Sequence, residues 1–474
     1  MHRIGRYLSI FFFCSCFVTA WGQDAPGVVP EEALRTQERE HAVAKLQKVS
    51  KEIGERVARM RALPFKAPVR KGIKSRIELR NYLVDLMKRK QPKERVDVLA
   101  RSYALIRLLP PNIDLQKLVL DLLQEQVAGF YDPEAKALFL INEWSISQSS
   151  IIAHELTHAI QDQHFDLQSL PMEDETREDG ANAIRSVIEG EGMLVMMRYL
   201  ADDKTETGVI EGLMGSGFKM YLEMLDKGQL GAEAFEDDFS SSFGGLDQLA
   251  SVPLVIRESL IFPYMTGMIF VHKAWKKGGW QGVNALYADM PQSTEQIMHP
   301  EKYFDRRDRP TAISFPDTKA LTPDGFKNIY RTVMGELYIS VLFRDQLKKQ
   351  ARSRWWNGWD GDHYVVHERI ESDQRLYTWS TIWDTEQDAK EFVFGFRQLL
   401  SRWQGGANKK EPQQDGTRDS SGNLHQIERR GTEVLIVGGN VPAELLAEAA
   451  GKVWKERQLT EAEVIRAKGA KSPE

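Results

Sequence analysis

The feature that most constrains this chain is the pentapeptide His154-Glu155-Leu156-Thr157-His158. On an α-helix, residues four apart lie one turn above each other on the same face, so both imidazoles can reach one point in space. Apolar residues at positions 152, 156, 159 and 160 recur at helical spacing, and neither Pro nor Gly interrupts residues 151–165. The pattern predicts a helix that packs one stripe on a core and presents both histidines to a cleft.

Two histidines at this spacing are a frequent pair of zinc ligands, and a Glu between them can reach a water on the ion. The sequence therefore predicts His154 and His158 as ligands of Zn2+ and Glu155 as a general base. The chemistry that this arrangement indicates is metal-assisted hydrolysis, most often of a peptide bond. The alternative is a surface helix that carries two ordinary histidines.

A catalytic zinc site needs a third protein ligand, and Glu189 is the first candidate. It lies in a segment with helical patterning that also contains Gly190, Glu191 and Gly192. Each glycine costs about 1 kcal/mol relative to Ala in a helix interior. Close approach of two helix backbones at a shared metal is one reason to keep them. Glu191 is an alternative ligand in the same segment.

His164 is a second alternative, because it follows His158 by six residues. That is the spacing of the metzincins, in which a Gly midway turns the chain back to the metal. Here the midway position is Gln161. If the helix continues, His164 lies about 240° around the axis from His158 and cannot reach the same ion.

The pentapeptide followed by Glu189-Gly190-Glu191-Gly192 resembles the gluzincins, the zincin group whose third ligand is a Glu on a second helix. The chain is also similar to poorly characterised exported bacterial proteins, through Gly129–Pro133, His154–His164 and Glu189–Glu191. The resemblance covers roughly residues 100–305 and implies a zinc metallopeptidase acting on a peptide or protein substrate.

The resemblance also implies supporting residues around the metal. Many gluzincins have an Asp four residues after the ligand Glu, where this chain has Met193, so Asp162 or Asp179 is the candidate for that role. In related zincins a Tyr or His from a later segment stabilises the oxyanion. The candidates here are Tyr264, His299 and Tyr303, and packing or turn roles are the alternative for all three.

A β-hairpin is predicted just before the zinc-binding helix. Residues 128–131 and 137–141 are short apolar and aromatic runs, and residues 132–136 have the composition of a turn. In zincins the edge strand ahead of this helix binds extended peptide by strand addition. A hairpin that serves only the core is the alternative.

The N-terminal residues are typical of a secretory leader. Basic residues precede an apolar stretch at residues 8–20, with a plausible cleavage after Gly22. An uncleaved anchor is the alternative, and no later segment is expected to span a membrane. Cys14 and Cys16 both lie in the leader, which predicts an exported chain without disulfides.

Cleavage would change the net charge from −5 to −7, since the 63 basic residues lose Arg3 and Arg6 and the 68 acidic residues remain. An acidic surface argues against nucleic-acid binding.

We expect an α+β chain with four parts. A leader at 1–22 precedes a charged helical arm and linker at 23–75, a mostly helical zincin-like domain with a small sheet at 76–318, and a smaller α+β module at 319–474. In that module the pattern predicts a helix at 326–349 and then two ββα units ending near residue 456. Its His363 and His367 are expected to be surface residues on a strand. A zinc-containing scaffold or binding protein, or a zinc amidase acting on cell-wall peptides, is the alternative function.

Overall fold

The computed structural model describes residues 36–141, 149–201, 251–315, 321–405 and 418–470. The predicted leader, 1–22, lies outside these residues.

The described chain is α+β, as predicted from its patterning. The helices are α1 (Thr36–Arg61), α2 (Arg76–Lys90), α3 (Lys93–Leu105), α4 (Leu115–Gln126), α5 (Ser149–Phe165), α6 (Glu178–Leu200), α7 (Leu254–Ala288), α8 (Thr294–Met298), α9 (Glu301–Phe304), α10 (Gly335–Leu347), α11 (Glu386–Trp403) and α12 (Ala443–Glu456). The strands are β1 (Arg70–Lys74), β2 (Gly129–Asp132), β3 (Ala137–Ile141), β4 (Thr311–Ser314), β5 (Phe326–Thr332), β6 (Trp359–Arg369), β7 (Arg375–Trp383), β8 (Leu424–Arg430), β9 (Glu433–Gly439) and β10 (Gln458–Glu461).

A three-stranded sheet with the order β1-β3-β2 lies beside α5. Strands β2 and β3 form the predicted antiparallel hairpin, and β2 is an edge strand. Strand β1 pairs in parallel with β3 inside the stretch that was predicted as a linker, so that prediction is wrong. Only Ile73 of β1 is buried, and basic residues surround it, which explains why composition alone suggests a linker.

Helix α1 is part of the same body and not a separate arm, which corrects the predicted 23–75 segment. Its buried residues Leu46, Ile53 and Val57 share a core cluster with Ile152 and Leu156 of α5. This stripe follows the helical period and so buries one face of α1.

At the C-terminal end of α1, Arg61 forms a buried ion pair with Glu191 of α6. The Arg61 Nε lies 2.5 Å from Glu191 Oε1, both side chains are fully buried, and Arg61 Nη2 donates to Asn284 of α7. This ion pair ties α1 to the helix that carries Glu189.

Helix α7 is long and apolar enough to span a membrane, which differs from the expectation for segments after the leader. An 18-residue window of α7 reaches a mean hydropathy of 1.4, but 89% of that window is buried inside the fold. Helix α7 packs along α6 and is therefore a core helix. Its backbone is kinked at Gly278 and Gly279.

The C-terminal module is built on an antiparallel sheet with the order β5-β6-β7-β9-β8. Both predicted ββα units are present. The first part of the helix predicted at 326–349 is instead β5, and α10 begins only at Gly335. Buried positions at Phe326, Tyr330 and Thr332 alternate with exposed ones, as one-sided packing of a strand requires.

The two faces of this sheet are covered by different helices. Trp379 of β7 packs on Phe392 of α11, whereas Leu376 and Leu435 share a core cluster with Leu446 of α12. The second face is therefore a core surface as well.

The predicted surface location of His363 and His367 is wrong. His367 is 1% exposed, and among the described residues neither of its ring nitrogens has a hydrogen-bond partner. His363 is partly buried. Burial, with Lys452 of α12 nearby, lowers the pKa of His367 to about 4.

The chain after α12 returns to the part of the molecule that precedes the C-terminal module in sequence. Strand β10 pairs antiparallel with β4, and the following residues form backbone hydrogen bonds with Met290 and Tyr287. Gly469 then packs so closely on the carbonyl of His164 that a Cβ would lie 1.9 Å from the oxygen. Residues 458–470, the return segment, therefore reach the end of α5.

The substitution Arg61→Met leaves the Glu191 carboxylate buried without its cation. Breaking a buried ion pair in this way costs about 3–5 kcal/mol, so we expect a loss of that size in the free energy of unfolding, measured by urea denaturation. As a control, Arg89→Met removes an ion pair to Glu134 whose side chains are 57% and 39% exposed, and the expected change is about 0–1 kcal/mol. Equal losses in the two variants would contradict a structural role for the Arg61 ion pair.

The buried His367 should make the protein sensitive to acid. Its pKa is about 4 in the folded chain and about 6.5 in an unfolded one, so the unfolded chain binds more protons between these values and stability falls as the pH drops below about 6.5. When the pH falls from 7 to 5, the free energy of unfolding of the wild type should decrease by more than that of His367→Leu. We expect a difference on the order of 1–2 kcal/mol. Denaturation at each pH measures this, with exposed His41→Leu as the control. Parallel pH profiles for the wild type and His367→Leu would refute the assignment.

Candidate metal centre

Helices α5 and α6 bring three candidate ligand atoms together. The Nε2 atoms of His154 and His158 lie 2.9 Å apart, and Glu189 Oε2 lies 3.2 and 3.3 Å from them. The three residues are between 0% and 6% exposed. The structure therefore unites the three residues that the sequence predicts as ligands.

The donor set and its spacing fit a zinc ion. Zinc binds His nitrogen and carboxylate oxygen at about 2.0–2.2 Å, and tetrahedral ligand atoms at that distance lie about 3.3–3.5 Å apart. The three separations observed here, 2.9–3.3 Å, are close to that range. His154, His158 and Glu189 can therefore hold one ion together.

The charges at the cluster favour a cation. Burial alone would raise the pKa of Glu189, but His158 and His154 outweigh it and lower that pKa to about 2. Burial lowers the pKa of His158, yet the Glu189 carboxylate reverses the shift and raises it to about 9. The pKa of His154 is lowered by burial and by His158. A carboxylate that stabilises positive charge at this point suits a metal ligand.

Glu155 points from α5 to the neighbouring edge strand. Its side chain is fully buried, and its Oε2 accepts a 2.7 Å hydrogen bond from the backbone N–H of Tyr131 in β2. The predicted general base and the predicted substrate-binding strand are therefore in direct contact.

Two glycines of α6 have different neighbours. A Cβ on Gly192 would lie 2.6 Å from Cε1 of His154, so the missing side chain makes room for a candidate ligand. A Cβ on Gly190 would lie 2.2 Å from the backbone of Gly267 in α7. Both glycines allow a close approach, as expected. Gly192 allows it between α6 and α5, whereas Gly190 allows it between α6 and α7.

The alternative ligands have other partners. Helix α5 continues to Phe165, and the Nε2 of His164 lies 2.7 Å from the carbonyl of Pro64. Glu191 is held by Arg61 and by the hydroxyl of Tyr287, 2.7 Å from its Oε2. Neither residue belongs to the cluster.

The two candidate supporting acids also lie elsewhere, which corrects the prediction. Asp162 accepts hydrogen bonds from the Tyr131 hydroxyl and from Lys136, each at 2.7 Å. Asp179 accepts from the backbone and hydroxyl of Thr294. The residue that contacts a ligand histidine is Gln161, whose Oε1 lies 2.7 Å from His158 Nδ1. Sequence reasoning missed it, although three residues along a helix make the two side chains neighbours.

Of the three candidates for oxyanion stabilisation, only Tyr264 adjoins the cluster. Its ring is stacked on His154 with 6.1 Å between centroids. His299 instead contacts Glu336 at 2.9 Å, and the Tyr303 hydroxyl donates to the carbonyl of Asp289. The structure therefore gives His299 and Tyr303 other partners and shows no contact of either with the cluster among the described residues.

The segment that carries His299 and Tyr303 is anchored far from Glu189. Thr294 in this segment binds Asp179, which precedes Glu189 by ten residues, or about 15 Å along α6.

A second acidic group in the described chain comprises Glu295, Asp308 and Asp384. The ammonium of Lys302 lies between them, 2.5–2.9 Å from one oxygen of each. Lys302 therefore already supplies the cation for this group.

Comparison with known proteins gives one match, to part of the chain. A family model described as a domain of unknown function (DUF8575) matches residues 325–449. Neither a curated protein nor a solved structure matches the chain. The matched stretch covers the sheet of the C-terminal module with α10 and α11 and part of α12, and it contains no residue of the metal cluster.

The substitution Gly192→Ala places a methyl group against His154 and should weaken zinc binding. Alanine normally stabilises a helix interior by about 0.5–1 kcal/mol relative to glycine, but here the ring of a ligand must move. The control is Gly451→Ala in α12, where a Cβ meets no atom within 4 Å. For this control we expect a gain of about 0.5–1 kcal/mol in the free energy of unfolding and an unchanged zinc affinity. Zinc titration and denaturation of both variants provide the measurement. Normal zinc affinity in Gly192→Ala would count against this geometry.

Proposed function

We propose that this chain is an exported, zinc-dependent metallopeptidase. The observation that carries the proposal is the convergence of His154, His158 and Glu189, with the Glu155 carboxylate close enough to help raise the pKa of His158. Export rests on the leader pattern of the first 22 residues alone.

The proposed chemistry assigns one task to each residue. His154, His158 and Glu189 would hold a zinc ion, which when bound would supply Lewis-acid activation of a water and of the scissile carbonyl. Glu155 accepts the proton of the attacking water at its carboxylate and then donates it to the leaving amine. The Tyr131 N–H orients that carboxylate through its bond to Oε2.

Strand β2 is the candidate for peptide binding because it lies at the sheet edge, although its four residues are buried in the described chain and the Tyr131 N–H is bonded to Glu155. An extended substrate that pairs with an edge strand gains main-chain hydrogen bonds, which suits many sequences. Because Tyr131 of β2 contacts Glu155, a peptide lying along this strand would pass close to the general base. Tyr264, stacked on His154, is the candidate donor to the developing oxyanion.

The number of ligands favours catalysis over a zinc-stabilised scaffold. Structural zinc sites normally have four protein ligands, whereas catalytic sites have three and an open position. Within the described residues the cluster at α5 and α6 contains three candidates. A structural site has no use for a general base, which is the role proposed for Glu155.

The substitution Glu155→Gln tests the mechanism, because an amide still accepts the Tyr131 hydrogen bond but cannot carry a proton. Loss of a general acid–base reduces rates by about 10²–10⁴-fold, so we expect peptide cleavage to fall by at least that range while zinc content stays normal. Digestion of a mixed peptide library, read by mass spectrometry, with zinc determined on the same samples, measures both quantities.

Two further variants serve as controls in that assay. Glu189→Ala should lose zinc and activity together, whereas His164→Ala should keep both because His164 bonds Pro64. Near-normal cleavage by Glu155→Gln would overturn the mechanism, and a wild type that binds zinc without cleaving any peptide would favour the scaffold function.

A further inference from the structure

Gln161 makes two hydrogen bonds that connect the two ligand helices. It lies on α5 and is fully buried. Its Oε1 is 2.7 Å from Nδ1 of His158, and its Nε2 donates to the backbone carbonyl of Ile188 at 3.0 Å. One side chain therefore joins a candidate ligand on α5 to the backbone beside Glu189 on α6.

These two bonds determine which nitrogen of His158 carries a proton. The carbonyl of Ile188 can only accept, so the NH2 group of Gln161 must face it and the amide oxygen must face His158. An amide oxygen can also only accept, and Nδ1 of His158 must therefore be protonated. In the neutral ring this leaves the lone pair on Nε2, which is the nitrogen that faces His154 and Glu189.

Glu191 gives the same segment of α6 a second attachment, through Arg61 and through Tyr287, whose hydroxyl Gln161 also contacts. It is two residues beyond Glu189 and is held by Arg61 and Tyr287. The segment is therefore fixed on one side through Gln161 and on the other through Glu191. The first attachment reaches a ligand side chain directly, and the second does not.

We propose that Gln161 is a positioning residue of the metal centre, which fixes the tautomer and orientation of His158 and the approach of α6. This inference rests on the proposed zinc site. The role is the one that carboxylates or backbone carbonyls fill beside most zinc-binding histidines. In this chain a neutral amide fills it, and the same amide also binds the helix that carries the third ligand.

The test compares Gln161→Met with Gln163→Met. Methionine is close in size to glutamine but removes the hydrogen bonds of residue 161 to His158, Ile188 and the Tyr287 hydroxyl. Gln163 lies on the same helix and bonds only the backbone at residues 66 and 67 among its described partners, away from the metal cluster. Because loss of such a partner weakens metal binding by about 10–100-fold, we expect that decrease in zinc affinity for Gln161→Met and none for Gln163→Met. Chelator competition on the full chain gives the affinities, and the absorption spectrum of the cobalt-substituted protein reports the ligand geometry.

Gln161→Glu separates positioning from general packing. A carboxylate still accepts from Nδ1 of His158 but cannot donate to Ile188, so we expect it to restore most of the zinc affinity and the wild-type cobalt spectrum. If Gln161→Glu binds zinc as weakly as Gln161→Met, the hydrogen bond to His158 does not determine the zinc affinity and the inference fails. Unchanged affinity in Gln161→Met beside a zinc-binding wild type rejects this inference alone. A wild type without zinc affinity rejects the proposed function with it.

Discussion

The close packing of α5, α6 and α7 is the constraint on which the candidate site depends. Two histidines on one helix define a point, and a carboxylate on a second helix reaches it only if the backbones approach closely. Gly192 provides the room for His154, and Gly190 lets α7 pack against the back of α6. This packing also buries the polar groups, and burial makes an unpaired polar group costly. The hydrogen bonds of Glu155, Gln161 and Glu191 meet that requirement.

The start of α6 is fixed by the C-terminal module. Asp179 accepts two hydrogen bonds from Thr294, whose hydroxyl also accepts from the backbone of Leu337 in α10. Burial raises the pKa of Asp179 to about 8 despite the bonds from Thr294, so the group is largely neutral at pH 7. The helix that carries Glu189 therefore has one end in the module matched by the family model and its middle at the metal cluster.

Local patterns were sufficient to predict the helix with both histidines and the hairpin, and the glycine-flanked Glu189 was correctly expected to lie beside the two histidines. The errors concern contacts between distant residues. Strand β1 exists only through pairing with β3, more than 60 residues later, and its own composition resembles a linker. His299 and Tyr303 have suitable chemistry, but Glu336 and Asp289 engage them instead. Spacing along the chain contains no information about such partners.

The return segment means that the half of the molecule with the metal cluster is discontinuous in sequence. Residues 458–470 complete the packing around Tyr287 and the end of α5, although the whole C-terminal module separates them from it. A chain that emerges N-terminus first, from a ribosome or through an export channel, must therefore leave this surface uncovered until nearly all of it has appeared. Packing around Tyr287 and the end of α5 is therefore completed only when the last residues of the chain are available.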